Sequence, residues 1–196
     1  QELRAQIVHS IAYQAVAPSF AAVESEAAAL VTATEAYAAA TGEEARHSAR
    51  DEARAAWRSA MQAWQRVEMM QLGPVGSSSK AIGGADRRDE VYSWPSINSC
   101  RVDQELVLGE YANDDFISTR LVNTYGLDAL EYLLFNEEMT NTCAPQLDIN
   151  ANGEWEALGD TEVDSRRGAY AAALAKAFAT EVTSLSSAWS ANDGEW

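Results

Sequence analysis

Only two histidines, two cysteines and four prolines occur among the 196 residues. Each shortage closes off some chemistry. His9 and His47 cannot build a zinc site of several imidazoles. Both lie in charged or N-terminal helical segments and read as ordinary surface side chains. No histidine is placed to complete a Ser-His-Asp set, and neither cysteine has a histidine nearby to activate it. Scarce proline, set against abundant alanine, favours helix over sheet. No apolar run approaches the roughly 18 residues that a membrane span needs. There is no P-loop, no dinucleotide fingerprint and no HExxH. Basic residues are short too: 14 Lys and Arg stand against 30 Asp and Glu, giving a net charge of -16. Such a surface repels nucleic acid and anionic membrane. It is compatible with cation binding, although a solvated acidic face is the ordinary reading.

What is present is a chain of 47% hydrophobic content, long enough for one good core. It opens on Gln1 rather than Met, which suggests a mature or trimmed start. Cys100 and Cys143 can pair in an exported protein and would remain thiols in the cytosol.

Helical periodicity organises the chain. Ile7, Val8, Ile11 and Ala15 recur at helical spacing over about 3–17, where Pro18 is expected to interrupt. Ser19 is expected to cap a second helix over 20–40, with Phe20, Val23, Ala27, Leu30, Val31, Thr34 and Tyr37 on one face. Gly42 ends it. A third helix is predicted over 43–72, stopped by Gly73-Pro74. Its stripe of Trp57, Met61, Trp64 and Glu68 carries one acid to the buried face. Residues 73–90 read as a loop, and 91–102 as an ordered aromatic loop laid across the core. Asp103 is expected to cap a short helix over 103–110, and another covers 114–120. A central helix spans 123–135, a second long loop 137–160, and a last helix 162–191. The last helix places Tyr170, Leu174, Phe178, Val182, Leu185 and Trp189 on one stripe. No internal repeat is visible. The fold class is therefore all-α: one domain, a helical bundle of about five main helices with long ordered central loops.

The central helix carries the chemistry. Asp128 and Glu131 lie three residues apart, on one face of a helix that otherwise demands burial. Buried adjacent acids need compensation, from a metal cation, an arginine, or water at the rim of a cleft. On spacing alone, a surface pair is the commoner outcome, with Asp128 complementing the helix dipole and Glu131 bridged to an arginine. The sharper reading makes them ligands of one oxygen-preferring cation, with Glu68 as the third carboxylate. Arg101 is placed to compensate Glu131 or Glu68, or to bind an anionic group, with Asp103 beside it. Tyr92, Ser93 and Trp94 can line a cleft or fill core. Glycoside hydrolysis fits poorly, because the two acids share one face of one helix.

Several segments are similar to a known family: Ala56-Trp57 through Trp64 to Glu68, Gly73-Pro74, Tyr92-Ser93-Trp94-Pro95, Cys100-Arg101-Val102-Asp103, and Tyr125-Gly126-Leu127-Asp128-Ala129-Leu130-Glu131. Together they resemble the imelysin family, the insulin-cleaving membrane proteases and imelysin-like exported proteins. The resemblance runs over about 45–145. It implies an all-helical bacterial protein of the periplasm or outer membrane, built from two helical-bundle domains. Family members run well beyond this length, which implies a first domain plus a final helix, or a truncated product. The family signature is Gly-x-His-x-x-Glu; Gly126 and Glu131 match, and Asp128 replaces the histidine. Read as a metal motif, that exchange keeps a ligand and hardens it toward oxygen-preferring ions. Links of relatives to iron uptake imply binding of iron or another divalent cation through Asp128, Glu131 and Glu68. Arg101, Asp103, Ser93 and Trp94 would surround the site. The alternatives are a metal-dependent peptidase of the imelysin type and a non-catalytic module whose aromatic loop binds a cell-surface protein or glycan. Export also implies a Cys100–Cys143 disulfide, for which chain-entropy models give roughly 3–4 kcal/mol.

Overall fold

The fold was analysed in a computed structural model, which describes residues 2–190. The described residues form helices and turns with no strand. The first helical run is longer than the proline rule suggests. Helix α1 (Glu2–Ile11) passes through a π segment (Ala12–Val16) into α2 (Ala17–Ala39) without a break. Pro18 has no N–H to give and its ring would crowd the carbonyl of Gln14. The extra residue of the π turn, closed by Ala17 N donating to Ala12 O, takes up that mismatch. Ser19 accordingly does not cap a new helix; its hydroxyl donates back to Ala15 O at 2.7 Å. None of the described residues of α1 is buried, and Leu3, Ile7, Val8 and Ile11 are exposed.

Four helices build the core. Helix α2 packs on α3 (Glu43–Val67) and on α9 (Gly159–Ser190), and α7 (Gly126–Phe135) packs on α9 and α3. The stripes foreseen from periodicity face inward: Phe20, Val23, Ala27, Leu30, Thr34 and Tyr37 on α2, and Tyr170, Leu174, Phe178, Val182, Leu185 and Trp189 on α9, are buried. Trp189 stacks near Phe20, and the Tyr37 hydroxyl donates to Asp164 at 2.6 Å, so α2 and α9 run antiparallel. Trp57, Met61 and Trp64 fill the space between α3 and α7 or α9. Thr34 sits in this apolar stripe because its hydroxyl is satisfied within its own helix, by Leu30 O at 2.8 Å.

The connections differ from the sequence-based boundaries in ways that matter for the site. Helix α3 stops at Val67 and not near residue 72, so Glu68 is its capping residue. The stretch 73–98 is not one loop; it contains a short turn at Gly73–Val75 and the helix α4 (Arg87–Val91). Helix α5 (Ser99–Leu108) begins earlier than expected, because Asn98 is the cap: its side chain accepts from Arg101 N at 3.0 Å. Asp103 is inside α5 and fully buried. Two further short helices follow, α6 (Phe116–Thr119) and, within the second long loop, α8 (Asp148–Ala151).

Cys100 and Cys143 form a disulfide. It fastens α5 to the segment after α7. Asp103 holds the same junction, accepting from Thr142 N at 2.8 Å and from the Tyr132 hydroxyl at 3.0 Å. The bond closes a loop with a sequence separation of 43. Reduction, or a C100S/C143S variant, is expected to lower the unfolding free energy by roughly 3–4 kcal/mol. Urea unfolding with and without reductant checks this; coincident curves would show that the surrounding hydrogen bonds carry the junction alone.

Candidate functional site

The turn that opens α7 is built around a close backbone approach. Gly126 has φ +90°, and a Cβ there would stand 2.9 Å from Val91 O and 3.1 Å from Asp128 Oδ1. Only glycine lets the end of α4 come this near to the start of α7. That approach delivers Tyr92 and Ser93 to the acids of α7.

Asp128 lies in the first turn of α7 and is 3% exposed. Its Oδ2 accepts from the Ser93 hydroxyl at 2.7 Å and its Oδ1 from Ala129 N at 3.0 Å. Burial still outweighs those hydrogen bonds and holds its carboxyl above the usual range. Glu131, one turn on, is half-buried. It too is pushed up, first by burial and then by the charge of Asp128. No arginine, lysine or histidine among the described residues forms an ion pair with either acid. Of the three compensations open from the sequence, the arginine is thus ruled out. Arg101 bridges Glu105 at 2.6 Å and donates to Gln104, and Asp103 is engaged with Tyr132 and Thr142. Neither hydrogen-bonds or ion-pairs with Asp128, Glu131 or Glu68.

Glu68 stands at the end of α3 and is not grouped with Asp128 and Glu131 as the expected third ligand. Its carboxylate lies 3.6 Å from the Arg88 guanidinium, and its Oε2 is buried without a hydrogen bond. Tyr92 joins the three acids. Its phenol is pushed up by burial, then by the charges of Glu131, Asp128 and Glu68, with Arg88 opposing. Tyr92 therefore stands in the field of all three carboxylates. The sequence marked it only as a cleft or core aromatic, and it did not mark Arg88 at all. The one available signal was the position of Arg87-Arg88 just ahead of the aromatic loop. Trp94 is 61% exposed beside Ser93, at the rim rather than in the core.

This geometry can do two things. It can take up protons at two adjacent acids, or it can offer oxygen donors to a hard cation. Among the described residues, no three His, Cys, Asp or Glu side chains are grouped so as to hold a metal ion. The donor set is thus the Asp128–Glu131 pair, with the Ser93 hydroxyl and the Tyr92 phenol beside it.

A family model described as Imelysin matches residues 16–196. The chain belongs to the imelysin family. Within the imelysin match lie all the acids discussed above, whereas α1 precedes it. No curated protein and no solved structure matches the chain. In this imelysin the signature turn carries Asp128 where the histidine of the resemblance would stand, and its glycine has the steric role just described.

A pH dependence follows. Both acids titrate above their ordinary values in the folded state. Their contribution to stability is complete below the unfolded carboxylate range and is lost as pH rises through the folded values. Asp128→Asn removes the Asp128 part while keeping an acceptor for Ala129 N. The variant is expected to melt near the wild type at pH 3 and above it at pH 7, by thermal denaturation without metal. A variant less stable at pH 7 would show that the Asp128 charge is compensated after all.

Proposed function

We propose that this imelysin-family protein is an exported cation-binding protein, taking iron or another hard divalent ion at Asp128 and Glu131. The observation that carries the reading is the uncompensated pair: a buried and a half-buried carboxylate, one turn apart, with no cationic side chain of the described residues paired with them. When bound, a cation supplies the positive charge that the pair lacks. Carboxylate, hydroxyl and phenol oxygens suit hard ions, and an ion held by two carboxylates keeps much of its water.

The chain's own groups have separate tasks. Ser93 fixes one oxygen of Asp128 and Ala129 N the other, so the carboxylate is aimed before any ion arrives. The Glu131 side chain accepts no hydrogen bond from the described residues. Glu68 is drawn toward Arg88 and stays outside the donor pair. Trp94 shields the rim. Export is supported by the disulfide, since such bonds persist in oxidising compartments. No helix of the described residues is long and apolar enough to cross a membrane.

Calorimetric titration with Fe(II), Mn(II), Ca(II) and Zn(II) near pH 7 tests the reading. Saturable binding by at least one ion is expected, weakening toward acid as protons compete for the pair. Loaded at 100-fold over its Kd, the protein gains about 2.7 kcal/mol of stability. The D128A/E131A variant is expected to lose both effects. Equal binding by wild type and double variant would sink the assignment. Metal-dependent cleavage of an unstructured protein, abolished by E131Q, would instead move the site to peptidase chemistry.

A further inference from the structure

A second place in the molecule has the opposite imbalance. A cavity of about 440 Å³ opens where α3 and α9 begin, lined by Arg46, His47, Arg50, Met139, Thr161 and Asp164 among others. Its volume falls in the range of small-molecule sites, roughly 300–1,000 Å³. Two of its charged groups are already committed. Arg46 pairs with the Asp164 carboxylate, donates to Asp164 O at 2.8 Å, and donates to Ala40 O at 3.1 Å. Asp164 also accepts from the Tyr37 hydroxyl, and these partners hold its carboxyl below the usual range despite burial.

Arg50 is different. Its side chain is 14% exposed, and its nearest acid oxygen, Asp164 Oδ1, is 3.8 Å away, too far for a hydrogen bond. None of its N–H groups donates to any described residue, and its Nε is buried without a partner. Arg54 and Arg167 also bury one nitrogen without a hydrogen bond, Nη2 and Nε respectively, but each is fixed through its other nitrogens. Arg54 donates to Leu134 O at 2.7 Å, and Arg167 to Asn136 O and Glu138 O at 2.9 and 2.8 Å. A largely buried guanidinium that donates nowhere in the protein, with its Nε sealed from solvent, costs stability, so its retention beside an open cavity points to a ligand that completes it.

The surroundings select the ligand. A guanidinium fork matches a planar oxyanion and binds it through two parallel hydrogen bonds. The cavity also contains Glu43 and Asp160 at its exposed edge, and the protein carries a net charge of -16. A doubly charged phosphate meets strong repulsion there. A single carboxylate meets about half of it, and an ammonium group on the same molecule would find Glu43 and Asp160. We propose that Arg50 receives the carboxylate of a small zwitterion of the amino-acid class, in a site separate from the Asp128–Glu131 pair.

The test is a titration of labelled protein with glycine, acetate and inorganic phosphate, followed by NMR of the amides of residues 43–50 and 159–164. Saturable shifts are expected with glycine, weaker ones with acetate and none with phosphate. They are expected to fall by about tenfold or more in apparent affinity in R50M, and to persist in D128A/E131A. Because Arg50 donates no hydrogen bond to the protein, R50M is expected to melt close to the wild type, unlike R54M. Three results would overturn the proposal: no saturable shift with glycine or acetate, tighter binding of phosphate than of glycine, or a loss of stability in R50M as large as in R54M.

Discussion

Donation into the backbone of α7 from both of its neighbours is what the site depends on. The Trp57 indole donates to Leu127 O at 2.9 Å and the Tyr170 hydroxyl to Thr124 O at 2.5 Å, at the start of the helix. Arg54 donates to Leu134 O and Arg167 to Asn136 O, at its end. A helix of 10 residues has no independent stability in water. Arg54 and Arg167 answer carbonyls at the helix end that have no intrahelical partner, whereas Trp57 adds a second donor to Leu127 O. The two guanidiniums also stand at the negative end of the helix dipole, and Asp128 at the positive end. The helix is thereby fixed in rotation, and that rotation decides where Asp128 and Glu131 point. Leu127, Leu130, Leu133 and Leu134 then bury without any change in the acids' position.

The imbalance at Asp128 and Glu131 does not arise from a lack of arginines nearby. Asp164 is only partly buried, and its carboxyl is driven down because the Tyr37 hydroxyl, Arg46 and Arg50 face it. Asp128 is driven up because only a serine hydroxyl and an amide face it. The bundle uses its arginines elsewhere: two on α7 carbonyls, two against Glu105, one against Glu68. Burial raises the energy of a charge in each case, and the partner decides the direction of the shift.

Periodicity made much of this visible beforehand. The stripes of α2, α3 and α9 and the acid pair of α7 depend only on residues near in sequence, and they appear as expected. The family resemblance, carried by motifs within about 45–145, is matched by the family model over 16–196. The misreadings have local and long-range causes. Pro18 was expected to break a helix, but a π turn absorbs it. Asp103 was expected to cap, but Thr142 and Tyr132, far along the chain, hold it inside a helix. Arg101 was set beside the acid pair, but Glu105 on its own helix takes it. Arg88 and Arg50 were missed altogether. The Arg101–Glu105 pair is an i,i+4 contact that spacing allows, whereas the partners of Asp103, Arg88 and Arg50 are decided by the packing of distant segments, on which spacing has no information.

Burial alone would nominate the wrong residues. Glu105 is 0% exposed, more deeply buried than Asp128, Glu131 or Arg50. Yet Arg101 and Arg120 flank it, and nothing further is required of its charge. Asp103 is equally buried and raised, but Thr142 and Tyr132 saturate its oxygens. The Asp128–Glu131 pair differs in having no cationic side chain against it, and Arg50 in donating no hydrogen bond while lining a cavity. A missing partner separates the two candidate sites from structural charges of the same type. It also predicts their signs: a cation for the pair on α7, and a carboxylate for the guanidinium on α3.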